Sequence, residues 1–204
     1  MISIIDYGLG NLGSIVNMFK KIGYQSQIIH RPEELDQATK LILPGVGAFD
    51  TGIKHLQDHG WLAPLEKKVM VERIPIMGIC LGMQLMTKGS EEGKFDGLGW
   101  IDAYTRKFQP ASAEVKIPHM GWSKADIVKE SKLLIQKNNS ERRFYFVHSY
   151  FVSVNNAEDE LLRCNYGNNF TAGFERNNII GVQFHPEKSH KFGMELFGNF
   201  ANNY

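Results

Sequence analysis

Cysteine is scarce in this chain, which has only two, Cys80 and Cys164, among 204 residues. Two cysteines are too few for the disulfide framework of a small secreted domain or for a four-cysteine metal site. Each thiol must therefore be judged singly, either as a small core residue or as a nucleophile.

Long hydrophobic runs are also absent, since no stretch of about 18 residues is apolar without a charge. We therefore expect no membrane-spanning segment. Residues 1–6 have neither the basic stretch nor the small-residue cleavage site of a secretory signal peptide, so we expect them to belong to the fold. A cytoplasmic location follows as an expectation.

Neither sign of charge dominates, because 23 basic and 22 acidic residues leave a formal net charge of +1. Such a chain has no long-range field to gather phosphates, so we expect no nucleic-acid partner. With 43% apolar and 22% charged residues, its composition is that of a globular protein, and its length predicts a single domain over residues 1–204.

Short β-branched runs alternate with amphipathic stretches in the first part of the chain. Strands are predicted at residues 2–6, 25–29, 41–43 and 74–79, with helical spacing at 12–22 and at 52–71, the latter broken near Gly60 and Pro64. This alternation predicts a parallel sheet covered by helices on both faces.

The second half has a different texture. Strands are predicted at residues 100–108, 142–151, 161–166, 170–175 and 179–184, and a closing helix at 189–201. Few helices intervene, so antiparallel pairing should be more common there. The predicted fold is α/β, with a mixed, mainly parallel central sheet and an antiparallel-rich second half.

A glycine-rich turn follows the first strand and contains Gly8, Gly10 and Gly13. With the acidic residues Glu33 and Glu34 further on, it matches a dinucleotide-binding fingerprint. The alternative is that small residues let a tight turn approach another surface. Both interpretations stay open from the pattern alone.

Cys80 lies between an apolar strand and a helix-like segment, flanked by Gly78 and Gly82. This pattern is that of a nucleophile elbow with cysteine in place of serine, since the glycines permit a sharp turn. The sulfur then lies at a helix N-terminus, which favours the thiolate, and the Leu81 amide points toward an oxyanion. Cys164 lacks such flanks, so we expect it to be structural.

His185 follows a continuous apolar strand and precedes Pro186, so we expect it at the tip of that strand. The carboxyl ends of parallel strands share one edge of the sheet, which would bring His185 to Cys80. Glu187 is then placed to orient the imidazole, as in a nucleophile, base and orienter triad.

Two other motifs resemble ligand-binding segments. His55 and His59 have the spacing of zinc-binding helices, but the glutamate of that motif is missing, and we expect no metal. The segment 44–47 has no phosphate-binding lysine. It follows a strand that should face Cys80, so its backbone amides are candidates for an oxyanion hole.

Six motifs occur in one order along the chain, at residues 6–12, 43–47, 78–84, 117–122, 145–150 and 182–189. Together they resemble the triad-type, or class I, glutamine amidotransferases, and within them the glutaminase subunits of imidazole glycerol phosphate synthases. The resemblance implies a Cys80, His185 and Glu187 triad and no cofactor. It further implies oxyanion donors at Gly47 and Leu81 and contacts to glutamine from Gln84, Glu92, Ser149 and Tyr150.

The resemblance also implies a partner, because a glutaminase of this kind delivers ammonia through a tunnel to a synthase. In the family this is a (β/α)8-barrel cyclase, bound as a heterodimer through positions matching Asn11, Met120, Trp122, Tyr145 and Lys188. For residues 118–122 the alternative is core packing. An exposed tryptophan beside methionine is equally typical of an interface anchor.

The implied products are imidazole glycerol phosphate and AICAR, made in histidine biosynthesis. Residues 97–103 and 189–193 look closer to paralogous subunits that supply ammonia for amidination of a surface-polysaccharide sugar. Two alternatives of other classes stay open at this point, a non-catalytic nucleotide-binding module and a cysteine hydrolase acting on another substrate.

Overall fold

The computed structural model describes residues 1–109, 115–135 and 141–204. The strands in these ranges are β1 Ile2–Ile5, β2 Ser26–Ile29, β3 Lys40–Leu43, β4 Ile76–Ile79, β5 Ala103–Lys107, β6 His119–Lys124, β7 Asp126–Ile127, β8 Arg143–His148, β9 Tyr150–Val154, β10 Glu160–Tyr166, β11 Asn168–Arg176 and β12 Ile179–Val182. The α-helices are α1 Leu12–Lys21, α2 Phe49–Asp58, α3 Leu62–Glu66, α4 Leu81–Leu85 and α5 His190–Asn203.

The large sheet is parallel at one end and antiparallel at the other. Its order is β2-β1-β3-β4-β12-β11-β10-β7, with β9 pairing to β11 and β5 pairing to β9. The pairs from β2 to β12 are parallel, and those from β12 through β11, β10 and β7 are antiparallel. The predicted mixed sheet with an antiparallel second half is confirmed.

Helices cover both faces of the parallel part because successive side chains of β1 point to opposite sides. Ile4 packs into a core with α1 and α5, where the rings of Phe19 and Phe197 lie 4.6 Å apart. Ile5 packs into a second core with α2, α3 and α4. Each fully buried aromatic or aliphatic side chain stabilises the fold by roughly 1.5–3 kcal/mol.

A two-stranded antiparallel ribbon, β6 with β8, stands apart from the large sheet in its hydrogen bonding. The sequence pattern did not predict β6 or β7. It also predicted one strand over residues 142–151, which was wrong: β8 ends at His148, and β9 begins at Tyr150 in the large sheet. The chain changes sheets at Ser149.

Helix boundaries differ from prediction in two places. The helix α2 begins at Phe49, earlier than expected, and ends before Gly60, whose φ of +72° suits glycine. The predicted break near Pro64 was wrong, because Pro64 lies within α3, near its first turn, where a proline is tolerated. In the part of the chain that is described, no helix has the length and apolar character needed to cross a membrane.

Candidate active site

Cys80 occupies a strained turn between β4 and α4. Its φ is +53° and ψ is −106°, a conformation that L-residues rarely adopt. A Cβ on Gly82 would lie 1.9 Å from the Leu43 carbonyl oxygen, and one on Gly78 would lie 2.7 Å from the backbone of Gly82. Both glycines are therefore required by close backbone packing, and the turn has the geometry expected of a nucleophile elbow.

Parallel pairing of β4 with β12 brings Cys80 and His185 to the same edge of the sheet. The register continues past the strands, since the Cys80 N–H donates to the Val182 carbonyl at 2.8 Å. His185 follows three residues later, and its own N–H donates to the Tyr145 carbonyl at 2.9 Å. Ser189 Oγ donates to the His185 carbonyl at 2.6 Å, so hydrogen bonds fix the backbone of this histidine on both sides.

The imidazole of His185 is held by the carboxylate of Glu187. Nδ1 lies 2.7 Å from Oε1, and both side chains are almost fully buried. Nε2 is buried and makes no hydrogen bond of normal length to the described residues. The imidazole nevertheless interacts with the Cys80 thiol. Burial opposes the imidazolium, but the Cys80 thiol and the Glu187 carboxylate outweigh burial and raise the pKa of His185 to about 10.

A cavity of about 400 Å³ opens beside the thiol. Nine of the residues predicted for the site line it, namely Gly47, Cys80, Leu81, Gln84, Glu92, Ser149, Tyr150, His185 and Lys188. Glu187 does not line the cavity, because it lies behind His185. The fold thus brings together the candidate nucleophile, base and substrate-binding positions from across the chain.

Two side chains at the cavity have their orientation fixed by hydrogen bonds. Gln84 Nε2 donates to the Tyr150 carbonyl and to Gln183 Oε1, each at 3.1 Å, which turns Gln84 Oε1 toward other donors. Glu92 Oε2 accepts the N–H of Phe49 at 2.9 Å, at the start of α2. An amide oxygen and a carboxylate at the wall suit a ligand that carries an ammonium group.

The loop at residues 44–47 packs against the elbow. The hydroxyl of Tyr7 donates to the Pro44 carbonyl at 2.7 Å, and burial together with nearby Cys80 raises the pKa of this phenol, which keeps it a neutral donor. A Cβ on Gly45 would lie 2.5 Å from the Tyr7 hydroxyl. Gly47 differs, because it has φ of +111° and open space around it. One end of the loop is therefore closely packed against Tyr7, whereas a Cβ at Gly47 would meet no neighbouring atom.

Sequence reasoning left four residues of the site without a role. Pro118, Val147 and His148 line the cavity, and Gln183 Nε2 lies 3.7 Å from Cys80 Sγ. All four lie inside the motifs at residues 117–122, 145–150 and 182–189. Their place in these motifs was the available signal, because spacing does not reveal the contacts that each of them makes.

Two of the predicted interface residues, Met120 and Trp122, are exposed on the ribbon, and half-buried Tyr145 lies beside Trp122. Met120 is 60% exposed and Trp122 44%, whereas the neighbouring His119 is buried. Trp122 contacts Tyr145 at 6.2 Å between ring centroids, and Lys188 Nζ lies 5.9 Å from the Tyr145 ring. Buried His119 fits core packing, whereas the interface role of exposed Met120 and Trp122 stays a prediction.

Asn11 lies elsewhere, at the N-terminus of α1, where its carbonyl accepts the Ile15 N–H at 3.3 Å. The preceding glycines have a packing role. A Cβ on Gly8 would lie 2.9 Å from His55 Nδ1, and one on Gly10 would lie 2.9 Å from Pro44 Cβ. Close approach to neighbouring segments accounts for these two glycines without a bound nucleotide.

The remaining candidates have ordinary structural partners. His55 and His59 use Nδ1 on the carbonyls of Tyr7 and His55, at 3.0 and 2.8 Å. Within residues 1–109, 115–135 and 141–204, no three His, Cys, Asp or Glu side chains come together as a metal site. Cys164 is buried in β10, and burial, with Asp126 nearby, raises the pKa of its thiol to about 12. Such a thiol is a poor nucleophile.

Comparison with known proteins agrees with this geometry. The family model for glutamine amidotransferase class-I matches residues 3–203. A protein of Methanococcus maripaludis named imidazole glycerol phosphate synthase subunit HisH 2 is 52% identical over 203 residues, covering 98% of each chain. A protein of the same name from Pseudomonas aeruginosa is 49% identical over 201 residues, again covering 98% of each.

Solved structures of lower identity share the fold. PurLQS from Thermotoga maritima aligns with a TM-score of 0.71 at 17% identity, covering 98% of this chain and 97% of that one. The glutaminase domain of CTPS from Trypanosoma brucei gives 0.69 at 15% identity, covering 100% and 94%. The family match over nearly the whole length, together with the close relatives, shows that the chain belongs to the class I glutamine amidotransferase family.

Proposed function

We propose that this chain is the glutaminase subunit of an imidazole glycerol phosphate synthase, with residues 1–204 acting as one cytoplasmic domain. It hydrolyses L-glutamine to glutamate and passes the ammonia to a synthase subunit of the histidine pathway. The observation that carries the proposal is the Cys80, His185 and Glu187 arrangement beside a cavity of about 400 Å³. The names of the curated relatives support the pathway.

Cys80 acts as the nucleophile and His185 as the general acid and base. The thiolate attacks the side-chain carbonyl carbon of glutamine and forms a carbon–sulfur bond. When the carbon–nitrogen bond breaks, the imidazolium of His185 gives its proton to the leaving nitrogen, which departs as ammonia. Water, deprotonated by His185, then cleaves the thioester, and glutamate leaves with the thiol restored.

Glu187 orients this chemistry without taking the proton. Its Oε1 accepts from Nδ1 at 2.7 Å, which turns Nε2 toward the thiol. The same carboxylate stabilises the imidazolium, consistent with the raised pKa of His185. The amino-acid head of glutamine is bound by Gln84 and Glu92, with backbone contacts from Ser149 and Tyr150.

The oxyanion of the tetrahedral intermediate is stabilised by the amides of Leu81 and Gly47. Leu81 begins α4, so its N–H belongs to the helix terminus, where the macrodipole is positive. Gly47 has the conformational freedom to turn its amide toward or away from the oxyanion. One missing oxyanion donor lowers the rate about a hundredfold to a thousandfold, which is enough for an inactive state of the free subunit.

The partner is a (β/α)8-barrel cyclase that docks as a heterodimer on the exposed ribbon. Met120 and Trp122 are the apolar anchors, and Lys188 provides a cation at the cavity rim. Asn11 contributes from a separate position on α1. Closure of this face over the cavity would keep ammonia out of bulk water, where it would be protonated.

The test is glutamate release by the purified chain, measured with and without the cyclase and its acceptor ligand. The expected result is a low rate for the free chain and a rise of about a hundredfold or more in the complex. Full activity of the free chain would contradict the gated oxyanion loop. Activation only by a sugar-amidating synthase would assign the ammonia to a surface polysaccharide instead of the histidine pathway.

A further inference from the structure

A series of buried and partly buried hydrogen bonds runs from the ribbon to the sulfur of Cys80. It starts at Ser123 on β6, passes through His119 and its cross-strand neighbour His148, and reaches the Tyr150 carbonyl. Gln84 donates to the same carbonyl and also to Gln183, whose Nε2 lies 3.7 Å from Cys80 Sγ. We call the side chains of Ser123, His119, His148, Gln84 and Gln183 the buried polar chain.

The direction of each hydrogen bond in the histidine part follows from the carbonyl at its end. The Tyr150 oxygen can only accept, so His148 Nδ1 donates to it at 2.8 Å. Burial lowers the pKa of His148 to about 3, so its ring is neutral and Nε2 accepts from His119 Nδ1 at 3.0 Å. Burial likewise lowers the pKa of His119 to about 4, and its Nε2 accepts from Ser123 Oγ at 2.8 Å.

The glutamine part is equally constrained. Gln84 Nε2 uses both of its hydrogens, one on the Tyr150 carbonyl and one on Gln183 Oε1. Gln183 is fully buried, and with Oε1 accepting, its amide nitrogen must face the thiol. An N–H directed at sulfur favours the thiolate over the thiol, because hydrogen bonds to a charged acceptor are stronger.

We propose that the buried polar chain positions the Cys80 thiolate and the Gln84 amide for the reaction, with Gln183 and His148 as its positioning residues. The proposal rests on the glutaminase function for its kinetic part. Gln183 acts on the sulfur directly. His148 acts indirectly, because it holds the Tyr150 carbonyl in the position that Gln84 needs.

Alkylation of Cys80 by iodoacetamide tests the role of Gln183 without any glutamine. The variants Gln183→Leu and Gln183→Met are compared with the parent across pH, all in a Cys164→Ser background so that a single thiol reacts. Loss of the N–H donor should raise the pH at which the alkylation rate is half-maximal by about one unit. Gln27→Leu is the control, since it removes a hydrogen bond to Ser3 far from the site.

The other titratable groups near the sulfur are unchanged in these variants. His185 and Tyr7 interact with the thiol, and Glu92 and Lys188 lie at the cavity wall. A shift common to both Gln183 variants and absent from Gln27→Leu therefore reports the lost N–H. A profile that moves by less than about 0.3 unit in a folded variant would overturn the role of Gln183.

Two variants of His148 test the second positioning residue. In His148→Asn the side-chain amide takes the place of Nδ1 and keeps the bond to Tyr150, whereas in His148→Gln the amide lies nearer the place of Nε2 and loses it. We expect His148→Gln to raise KM for glutamine about tenfold with little change in kcat. His148→Asn should stay within about threefold of the parent in KM.

Equal KM values for the two His148 variants would overturn its positioning role, whether both were impaired or both normal. The two arms also separate this inference from the glutaminase function. If the wild-type complex did not turn over glutamine, the proposed function would fail, but the alkylation profile would still show whether Gln183 acts on Cys80.

Discussion

Two regions of the molecule bury histidine in opposite ways. At the strand ends, His185 is in contact with the Glu187 carboxylate and the Cys80 thiol, and its pKa is raised to about 10. In the ribbon, His119 and His148 face each other and aromatic rings, and burial lowers their pKa to about 4 and about 3. The rings of Phe146 and Tyr166 stack on His119 at 4.7 and 3.9 Å.

The difference teaches that burial alone does not set the charge of a histidine in this protein. Desolvation disfavours the imidazolium in both regions, and only the strand-end region supplies an anion that outweighs it. The strand ends are therefore suited to moving protons, and the ribbon to holding fixed hydrogen bonds. Each of the following experiments tries to break or sharpen this division.

The largest effect is expected when the proposed nucleophile, Cys80, is removed. Cys80→Ala should lower glutamate formation by about 10⁴-fold or more while folding and partner binding persist, because the glycines of the elbow remain. Cys164→Ser is the matched control and should leave the rate nearly unchanged. Glutamine turnover by the purified complex measures both. A Cys80→Ala variant that retained about a tenth of the rate would refute the assignment.

The second prediction concerns the backbone packing that creates the elbow. In Gly82→Ala the new Cβ would lie 1.9 Å from the Leu43 carbonyl, so β3 and α4 must separate, at a cost of about 3 kcal/mol or more in unfolding free energy. In Gly198→Ala, on α5, the new Cβ would meet no neighbouring atom within 4 Å. This variant should have an unchanged unfolding free energy or be more stable by about 0.5 kcal/mol. Urea unfolding distinguishes them. Equal stabilities would mean that the elbow is not tightly packed.

The third prediction makes the strand-end histidine more like those of the ribbon. Glu187→Gln removes the counter-ion and should lower kcat/KM about thirtyfold to a hundredfold, with a fall in the pKa of His185 seen by NMR titration. His185→Asn should lower kcat/KM further, by about a thousandfold, since it removes the proposed base itself. Glu91→Gln, which breaks an exposed pair with Arg106, serves as the control. If neither Glu187→Gln nor His185→Asn lowered kcat/KM, the His185 and Glu187 pair would have only a structural role.

The strand-end region was predictable from sequence because its signals are local. Gly78 and Gly82 flank Cys80 at fixed spacing, and the apolar runs before Cys80 and His185 mark two buried parallel strands. The Gly78 and Gly82 contacts and the parallel pairing then follow from that pattern. The family resemblance supplied the pocket residues, which periodicity alone does not give.

The β6 strand of the ribbon was not predicted from the sequence, and the reason is physical. Along β6, buried His119 is followed by exposed Met120 and Trp122, so polarity and burial are nearly reversed relative to an ordinary strand. A polar residue is tolerated inside only because a partner from β8, distant in sequence, satisfies it. His148 and Gln183 were missed for the same reason, since each has its role through a contact that spacing does not reveal.

The smallest effect concerns pH and stability, where the two regions should differ in sign. An unfolded histidine has a pKa near 6.5, so below that pH the unfolded chain takes up protons that folded His148, with a pKa of about 3, does not. Stability falls with pH from about 6.5 downward, and His148 alone should contribute a loss of roughly 2 kcal/mol at pH 5. His119, with a pKa of about 4, acts in the same direction. His185 acts oppositely, since its stabilisation is present below pH 6.5 and is lost toward pH 10.

Urea midpoints measured from pH 5 to 8 check this division, with His148→Asn as the decisive variant. Asparagine keeps the hydrogen bond to Tyr150 but cannot take up a proton in this range, so its midpoint should fall less steeply toward pH 5 than that of the parent. His59→Asn, at an exposed position after α2, should follow the parent. If His148→Asn also ran parallel to the parent, the neutral histidine pair would not be what makes the ribbon sensitive to acid.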